Sequence, residues 1–293
     1  MTAPVGTKVA VLGGKRGLLG QALVRALAQA KALPLAVSSK DFDPLDQKAL
    51  ERFLKREKPD WVVNAVGYTA VDQAEDEPEA AFRLNRDLPA LLGRVCAGRG
   101  LLLVHFSTDF VFDGTSQTPY RPGDEPNPLS VYGASKLAGE QALAGLADTL
   151  ILRTAWLFGP GRGNFVAKIL DLARTREELT VVHDQEGSPT YTRDLADWTL
   201  ALAASGTRGL FHLANAGRAS WCELASEAIQ LAGLPCRVRP ILSAAWPTKA
   251  VRPPFSVLDT ESFTRATGIA PRPWLQALRD YVFGDLKLGN RGA

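Results

Sequence analysis

The chain has 293 residues, 46% of them hydrophobic and 22% charged, with a formal net charge of +3 at pH 7. That composition suits an ordinary globular protein of one large or two modest domains with a substantial core. Charge is spread without a Lys/Arg block and no apolar run reaches the roughly 18 residues that span a bilayer, which argues against nucleic acid and membrane as partners.

Cys96, Cys222 and Cys236 are odd in number and far apart, so neither a disulfide framework nor a metal knuckle is expected. A reducing cytoplasm fits them, as does an N-terminus, Met1 to Lys8, without the basic and apolar regions of a signal peptide.

Val9-Ala-Val-Leu12 reads as a strand, Gly13 to Gly20 as a glycine turn, and Leu18 to about Ala30 as a helix. Gly14, Gly17 and Gly20 have the G-x-x-G-x-x-G spacing that lets a backbone approach a pyrophosphate at a helix N-terminus. The same spacing also serves a tight turn with close helix packing. Leu35 to Val37 is a second strand, ending in Ser38-Ser39-Lys40 with no carboxylate where a ribose 2′-hydroxyl is usually held. The hydroxyls of Ser38 and Ser39 and the amine of Lys40, with Lys15 and Arg16 nearby, suit a 2′-phosphate and hence NADPH, with NADH as the alternative.

Gln47 to Glu57 reads as a crossover helix, Trp61 to Val66 as a third buried strand, and Asn85 to about Arg99 as part of a long helix. Leu101 to Phe106 is a fourth strand, leading to Ser107-Thr108-Asp109, and a Pro/Gly-rich connection from Asp113 to Leu129 is long enough to be functional. A helix starting near Ser130 carries Tyr132 and Lys136 four residues apart, so both side chains leave one face. An ammonium beside a phenol lowers the phenol's pKa and makes it a usable proton donor, with Thr108 facing it from a strand end. Leu150 to Arg153 makes a fifth strand. The β-α alternation predicts an α/β, Rossmann-type doubly wound parallel sheet with ligands beyond the strands' carboxyl ends.

Beyond residue 156 the rhythm is irregular: helices at Asn164–Thr175 and Tyr191–Ala204, extended segments at Leu179–His183 and Leu210–Leu213, and a capping box Ser220-Trp-Cys-Glu223 opening another helix. The expected division is a dinucleotide-binding domain over 1–156, completed by part of 178–213, and an interleaved substrate lobe over 157–293. His105, His183 and His212 lie in or beside strands and read as structural.

Asn64-Ala-Val-Gly-Tyr-Thr-Ala-Val-Asp-Gln-Ala-Glu75, Ser107-Thr-Asp-Phe-Val-Phe-Asp-Gly114 and Val131-Tyr-Gly-Ala-Ser-Lys-Leu-Ala-Gly-Glu140 follow one another in order. Arg153-Thr-Ala-Trp156, Asn164-Phe165, Asp184-Gln185 and Arg252-Pro253 complete the pattern. Together they resemble the extended short-chain dehydrogenase/reductases and, within them, the dTDP-4-dehydrorhamnose reductases, over nearly the whole chain. The resemblance implies a dTDP-sugar substrate whose 4-keto group is reduced, with Thr108, Tyr132 and Lys136 as the catalytic group. It implies a cofactor lined by Gly14, Lys15, Arg16, Gly17, Leu18, Leu19, Ser39, Lys40, Asp43, Ala65, Val66 and Gly67, besides Tyr132 and Lys136. It places Thr69, Val71, Asp109, Phe110, Trp156, Asn164 and Arg252 toward the substrate.

The chain departs from that pattern at Phe110 and Phe255, where many members carry tyrosine and asparagine, and at Val66-Gly67, where Ala-Ala is usual. Homodimerisation and a magnesium ion stay open. Two other readings also remain: an epimerase or dehydratase of the same superfamily, for which no second base stands beside Thr108, and a non-catalytic NADP-binding regulatory subunit similar to that of methionine adenosyltransferase.

Overall fold

A computed structural model describes residues 4–161 and 163–289; the first residues of the expected leaderless N-terminus, Met1 to Ala3, lie outside them. Five strands, β1 (Lys8–Leu12), β2 (Leu33–Val37), β3 (Trp61–Asn64), β4 (Leu102–Thr108) and β5 (Thr149–Thr154), are joined by Gly209–His212 in one sheet. The spatial order is Gly209–His212, β5, β4, β3, β1, β2, and every pairing is parallel. All seven residues of β4 and all six of β5 are buried, as expected for strands covered on both faces.

Helix α1 (Leu18–Gln29) presents Leu19, Leu23 and Leu27 to one face of the sheet, together with Leu195, Trp198 and Leu202 of the helix Thr192–Ala204. The other face is covered by α2 (Gln47–Glu57), by Leu88–Ala97 and by Val131–Leu143, through Leu50, Leu54, Leu88, Leu92 and Leu143. Each such leucine contributes about 1.5–3 kcal/mol by leaving water. Leaving β1 the chain steps to β2 on one side, and leaving β3 it steps to β4 on the other. The crevice beyond the carboxyl ends of β1 and β3 is therefore a topological switch point, the place where doubly wound sheets bind ligands.

A second core lies outside the sheet. Val166, Ile169 and Leu170 meet Leu224, Ala228 and Ile229, with Tyr281 and Val282 beneath, alongside a separate parallel pair, Glu178–Val182 with Arg237–Ile241.

Two differences from the expectations bear on the site. The strand after Leu101 runs on to Thr108, which places that residue in the ladder opposite Thr154. The expected continuous helix from Asn85 to Arg99 is instead interrupted by a wide π-type turn, Arg83–Asp87, before Leu88–Ala97. Pro89 supplies the reason: it has no N–H to give the carbonyl of Asn85 one turn back, so the turn widens. That carbonyl then lies so close to Gly139 that a Cβ there would come within 2.1 Å of it.

Candidate active site

Ser130 starts the helix Val131–Leu143: its backbone is extended and its hydroxyl accepts from the Gly133 N–H at 3.1 Å. Two glycines then let this helix sit against neighbouring backbone, because a Cβ on Gly133 would approach the Phe110 carbonyl oxygen to 2.2 Å and one on Gly139 the Asn85 oxygen to 2.1 Å. The close approach brings Tyr132 and Lys136 onto the ends of β3 and β4.

Lys136 is 5% exposed, donates to the carbonyl of Phe106, and has its Nζ 3.5 Å from His105 Nε2. Burial lowers the ammonium's pKa to about 8, with Glu140 pulling the other way. The Tyr132 ring meets Phe110 edge-on at 5.6 Å. Its phenol is pushed up to about 12 by burial, while the Thr108 hydroxyl lowers it and the charge of Asp109 raises it further. The direction is opposite to the one expected from the Tyr-x-x-x-Lys spacing. Desolvation of the phenolate dominates, and the amine is engaged by the Phe106 carbonyl.

Thr108, 4% exposed, donates from Oγ1 to Asp109 Oδ1 at 3.0 Å and accepts from the Phe110 N–H at 3.2 Å. Asp109 is itself buried, and its other oxygen accepts from the Ser256 hydroxyl at 2.6 Å. Asp109 was expected to face the substrate; here its carboxylate is enclosed, between Thr108 on one side and a C-terminal segment on the other. Burial raises its pKa to about 6 against the lowering effects of Ser256 and Thr108.

The residues present fit a dinucleotide. The first turn of α1 has no side-chain cap, so its N–H groups are left to an anion. Gly13 has a positive φ of 84° and sits against Ala65, where a Cβ would be 3.0 Å from the carbonyl oxygen. Gly14, Gly17 and Gly20 pack so tightly on Val11 and Gly13 that the spacing serves the turn's packing as well as an open approach. Gly67 places its Cα beside the lysine, since a Cβ there would be 4.0 Å from Lys136 Nζ.

At the end of β2, Ser38 is folded against Asp41, whose Oδ2 accepts from the Ser38 N–H at 2.8 Å and hydroxyl at 2.9 Å, and whose Oδ1 is 2.6 Å from Lys15 Nζ. Lys15, Ser38 and the Ser38 amide hold the Asp41 carboxyl down at about 2. The turn thus carries a carboxylate after all, several residues beyond the place where spacing looks for it. Asp43 is exposed, accepting from the Leu45 N–H and lying 3.7 Å from Arg83.

The candidates for the substrate side behave differently from one another. Thr69 is exposed and Val71 partly buried at the head of a short turn, Val71–Ala74. Trp156, with a φ of 48°, is stacked on Trp221 at 3.5 Å between ring centres and 4° between planes, with Gly187 behind it. Asn164 was expected to contact substrate, but its Oδ1 caps the helix Phe165–Ala173 and its Nδ2 donates to the Gly159 carbonyl and Tyr281 hydroxyl. Both amide hydrogens are engaged, which is the geometry of a cap. Arg252, expected on a phosphate, forks onto Asp72 at 3.0 and 2.7 Å.

Asn85 escaped the sequence reading. It is fully buried, accepts from the Tyr68 N–H at 2.9 Å, and donates to the Tyr68 carbonyl and to Ser135 Oγ. It ties the β3 turn to the helix bearing Tyr132, and a buried asparagine one turn before a helix proline was the available signal. His105, read as structural, is held neutral by burial and by Lys136, and lies between Asn64 and that lysine. Among the described residues no group of three or more His, Cys, Asp or Glu is gathered to hold a metal ion, and no helix is long and apolar enough to cross a membrane.

This geometry matches known proteins over nearly its full length: the family model described as RmlD substrate binding domain covers residues 7–285. The chain belongs to the RmlD substrate-binding-domain family. A dTDP-4-dehydrorhamnose reductase of Streptomyces griseus is 41% identical over 276 residues, 91% of this chain and 90% of that one. The spore coat polysaccharide biosynthesis protein SpsK of Bacillus subtilis is 39% identical, covering 94% and 97% of the two chains. Among solved structures, a dTDP-4-dehydrorhamnose reductase of Bacillus anthracis in complex with NADP superposes with a TM-score of 0.90 at 31% identity, over 94% of this chain and 99% of that one. That superposition shows that this chain has the fold of a reductase solved with NADP, and it supports a nicotinamide cofactor for this chain.

Proposed function

We propose that this chain reduces the 4-keto group of dTDP-4-dehydro-β-L-rhamnose with NADPH, giving dTDP-L-rhamnose. The observation that carries the reading is the convergence of Thr108, Tyr132 and Lys136 at the carboxyl ends of β3 and β4, beside a glycine-lined switch point. The names of the relatives support it.

When bound, the nicotinamide would supply the hydride that the sugar's C4 takes up. Negative charge then grows on the former carbonyl oxygen, and a site that meets it there stabilises the transition state. Tyr132 delivers the proton to that oxygen. Even at about 12 the phenol is a stronger acid than the alcohol it creates, so the transfer runs downhill. Thr108 donates a hydrogen bond to the same oxygen. Lys136, already beside Gly67, holds the nicotinamide ribose and brings its charge toward the phenol when its bond to Phe106 is exchanged.

The uncapped start of α1, with Leu18, Leu19 and the glycine turn, takes the pyrophosphate, and Ala65, Val66 and Gly67 line the nicotinamide side. NADPH is favoured over NADH because the charge of Asp41 is already engaged by Lys15 and Ser38, leaving Ser39, Lys40 and Arg16 for a 2′-phosphate. Residues 1–156 with Gly209–His212 form the dinucleotide half. The second core, with Trp156 on its edge, forms the sugar-nucleotide half together with Arg252, which is held by Asp72.

The experiment is to follow NADPH consumption by the full chain with the dTDP-linked 4-keto sugar. Turnover well above that with a sugar lacking the keto group supports the reading. Cofactor binding without oxidation by the keto sugar contradicts it.

A further inference from the structure

Thr108 has one proton to donate, and its Oγ1 lies 3.0 Å from Asp109 Oδ1, so an ionised Asp109, which can only accept, takes that proton. A donor aimed at a carboxylate cannot at the same time meet a ketone oxygen. The reading above, on which this inference rests, needs that proton to turn around. Asp109 is 2% exposed and enclosed by two hydroxyls, Thr108 at 3.0 Å and Ser256 at 2.6 Å, the second arriving from a segment 147 residues away.

We propose that Asp109 is a positioning residue which works as a neutral acid: its carboxyl proton is donated to Thr108 Oγ1, turning the Thr108 hydroxyl toward the ketone oxygen, while Ser256 fixes the carboxyl's other oxygen. The chemistry of the step favours the neutral form. An ionised carboxylate one hydrogen bond from Thr108 would repel the charge developing on the substrate oxygen, whereas a neutral acid relays a donor to it. A buried acid kept neutral for hydrogen-bond donation is an established device in enzyme sites.

The surroundings allow it. Burial raises Asp109 to about 6 even against the hydrogen bonds from Ser256 and Thr108 that favour its ionised form. The Tyr132 phenol on the helix Val131–Leu143 is coupled to it and is itself a neutral group near pH 7. Lys136 on that helix and His105 on β4 face each other and the Phe106 carbonyl. On the C-terminal side Ser256 is anchored by its N–H to the Glu186 carbonyl, and the Glu186 carboxylate points away to Arg218 at 3.2 Å.

The test compares Asp109→Asn with Asp109→Ala across pH. Asparagine carries a permanent N–H donor in place of the acid proton, so Asp109→Asn should keep kcat within about threefold of the parent at its acidic optimum and lose the fall in kcat that the parent shows as pH rises above the Asp109 value. Asp109→Ala should lose about 10²-fold in kcat, the usual effect of removing a transition-state donor, with the dissociation constant for NADPH little changed. A kcat for Asp109→Asn as low as that for Asp109→Ala, or a pH profile unchanged in Asp109→Asn, overturns the proposal.

A second readout needs no turnover, so it separates failure of this proposal from failure of the proposed activity. In the NADPH-bound chain the carboxyl carbon of Asp109, identified by its loss in Asp109→Asn, should titrate well above an ordinary aspartate in 13C NMR. Ser256→Ala, which removes a hydrogen bond to the ionised form, should move it higher still. Titration in the ordinary aspartate range, unaffected by Ser256→Ala, overturns the proposal whatever the keto sugar does.

Discussion

On the proposed nucleotide side of the site, Gly13 meets Ala65 and Gly133 meets Phe110 backbone to backbone, with no room for a methyl group. On the proposed sugar side, Arg252 reaches Asp72 and Lys249 reaches Asp76 through long side chains that keep part of their surface in water. The first arrangement is rigid because its parts cannot separate without opening the core. The second is held by ion pairs that contribute about 0–1 kcal/mol each when exposed, so it yields easily to a competing anion. Under the proposed assignment, the dinucleotide half would receive a ligand as it stands, and the sugar half would exchange its internal partners for a ligand's.

The sharpest way to break that contrast is at Lys136, where rigidity and chemistry conflict. Lys136→Met should lower kcat/KM by about 10²–10⁴-fold, through loss of the cation beside the proton donor. It should also stabilise the fold at neutral pH. The folded-state value of about 8 lies below the ordinary 10.5, so between those values the unfolded chain binds the extra proton and the parent's stability rises with pH. Below pH 8 the buried ammonium costs its full amount, at most about 3 kcal/mol, and the methionine variant avoids it. Urea midpoints at pH 7 and pH 10 read this directly; a variant less stable than the parent at pH 7, with no pH dependence in the difference, would show that the amine is well solvated.

Next in size is Gly139→Ala. The new Cβ would meet the Asn85 carbonyl oxygen at 2.1 Å, and both partners are backbone, so the helix must shift. We expect about 1–3 kcal/mol of destabilisation, in the range of overpacked cores, with a matching loss of turnover as Tyr132 moves. An unchanged melting temperature would mean that the helix is loosely seated.

The smallest effect is expected on the sugar side. Asp72→Asn removes a bidentate partner of Arg252 but leaves a partly exposed position, so stability should change by less than about 1 kcal/mol. The KM for the sugar nucleotide should change while the affinity for NADPH does not. Equal changes in both would remove the distinction between the two halves.

The same contrast explains which parts could be read from the chain alone. Ser130, Tyr132 and Lys136 were legible because a cap and an i, i+4 pair are local facts, and the alternation of strands and helices gave the sheet. The role of Asn85 and the enclosure of Asp109 were not. Asn85 acts through Tyr68 and Ser135, 17 and 50 residues away, and Asp109 is enclosed by Ser256, 147 residues away. The pKa of Tyr132 was misjudged for a related reason: spacing shows that a lysine is near, while burial and the Phe106 carbonyl, which decide the outcome, come from tertiary packing. The cap that Asn164 makes was not legible either, because a helix cap and a binding residue have the same chemistry in sequence and its partners Gly159 and Tyr281 meet it through tertiary packing.

The most direct measurement is made on Tyr132→Phe, which removes one oxygen from a ring that is otherwise packed on Phe110. Fluorescence titration with NADPH should give a dissociation constant within about twofold of the parent's, while single-turnover oxidation of NADPH by the dTDP-linked 4-keto sugar should slow by about 10²–10⁴-fold. Oxidation at close to the parent's rate, with the cofactor bound normally, would contradict the assignment of the proton to this phenol and with it the proposed reduction.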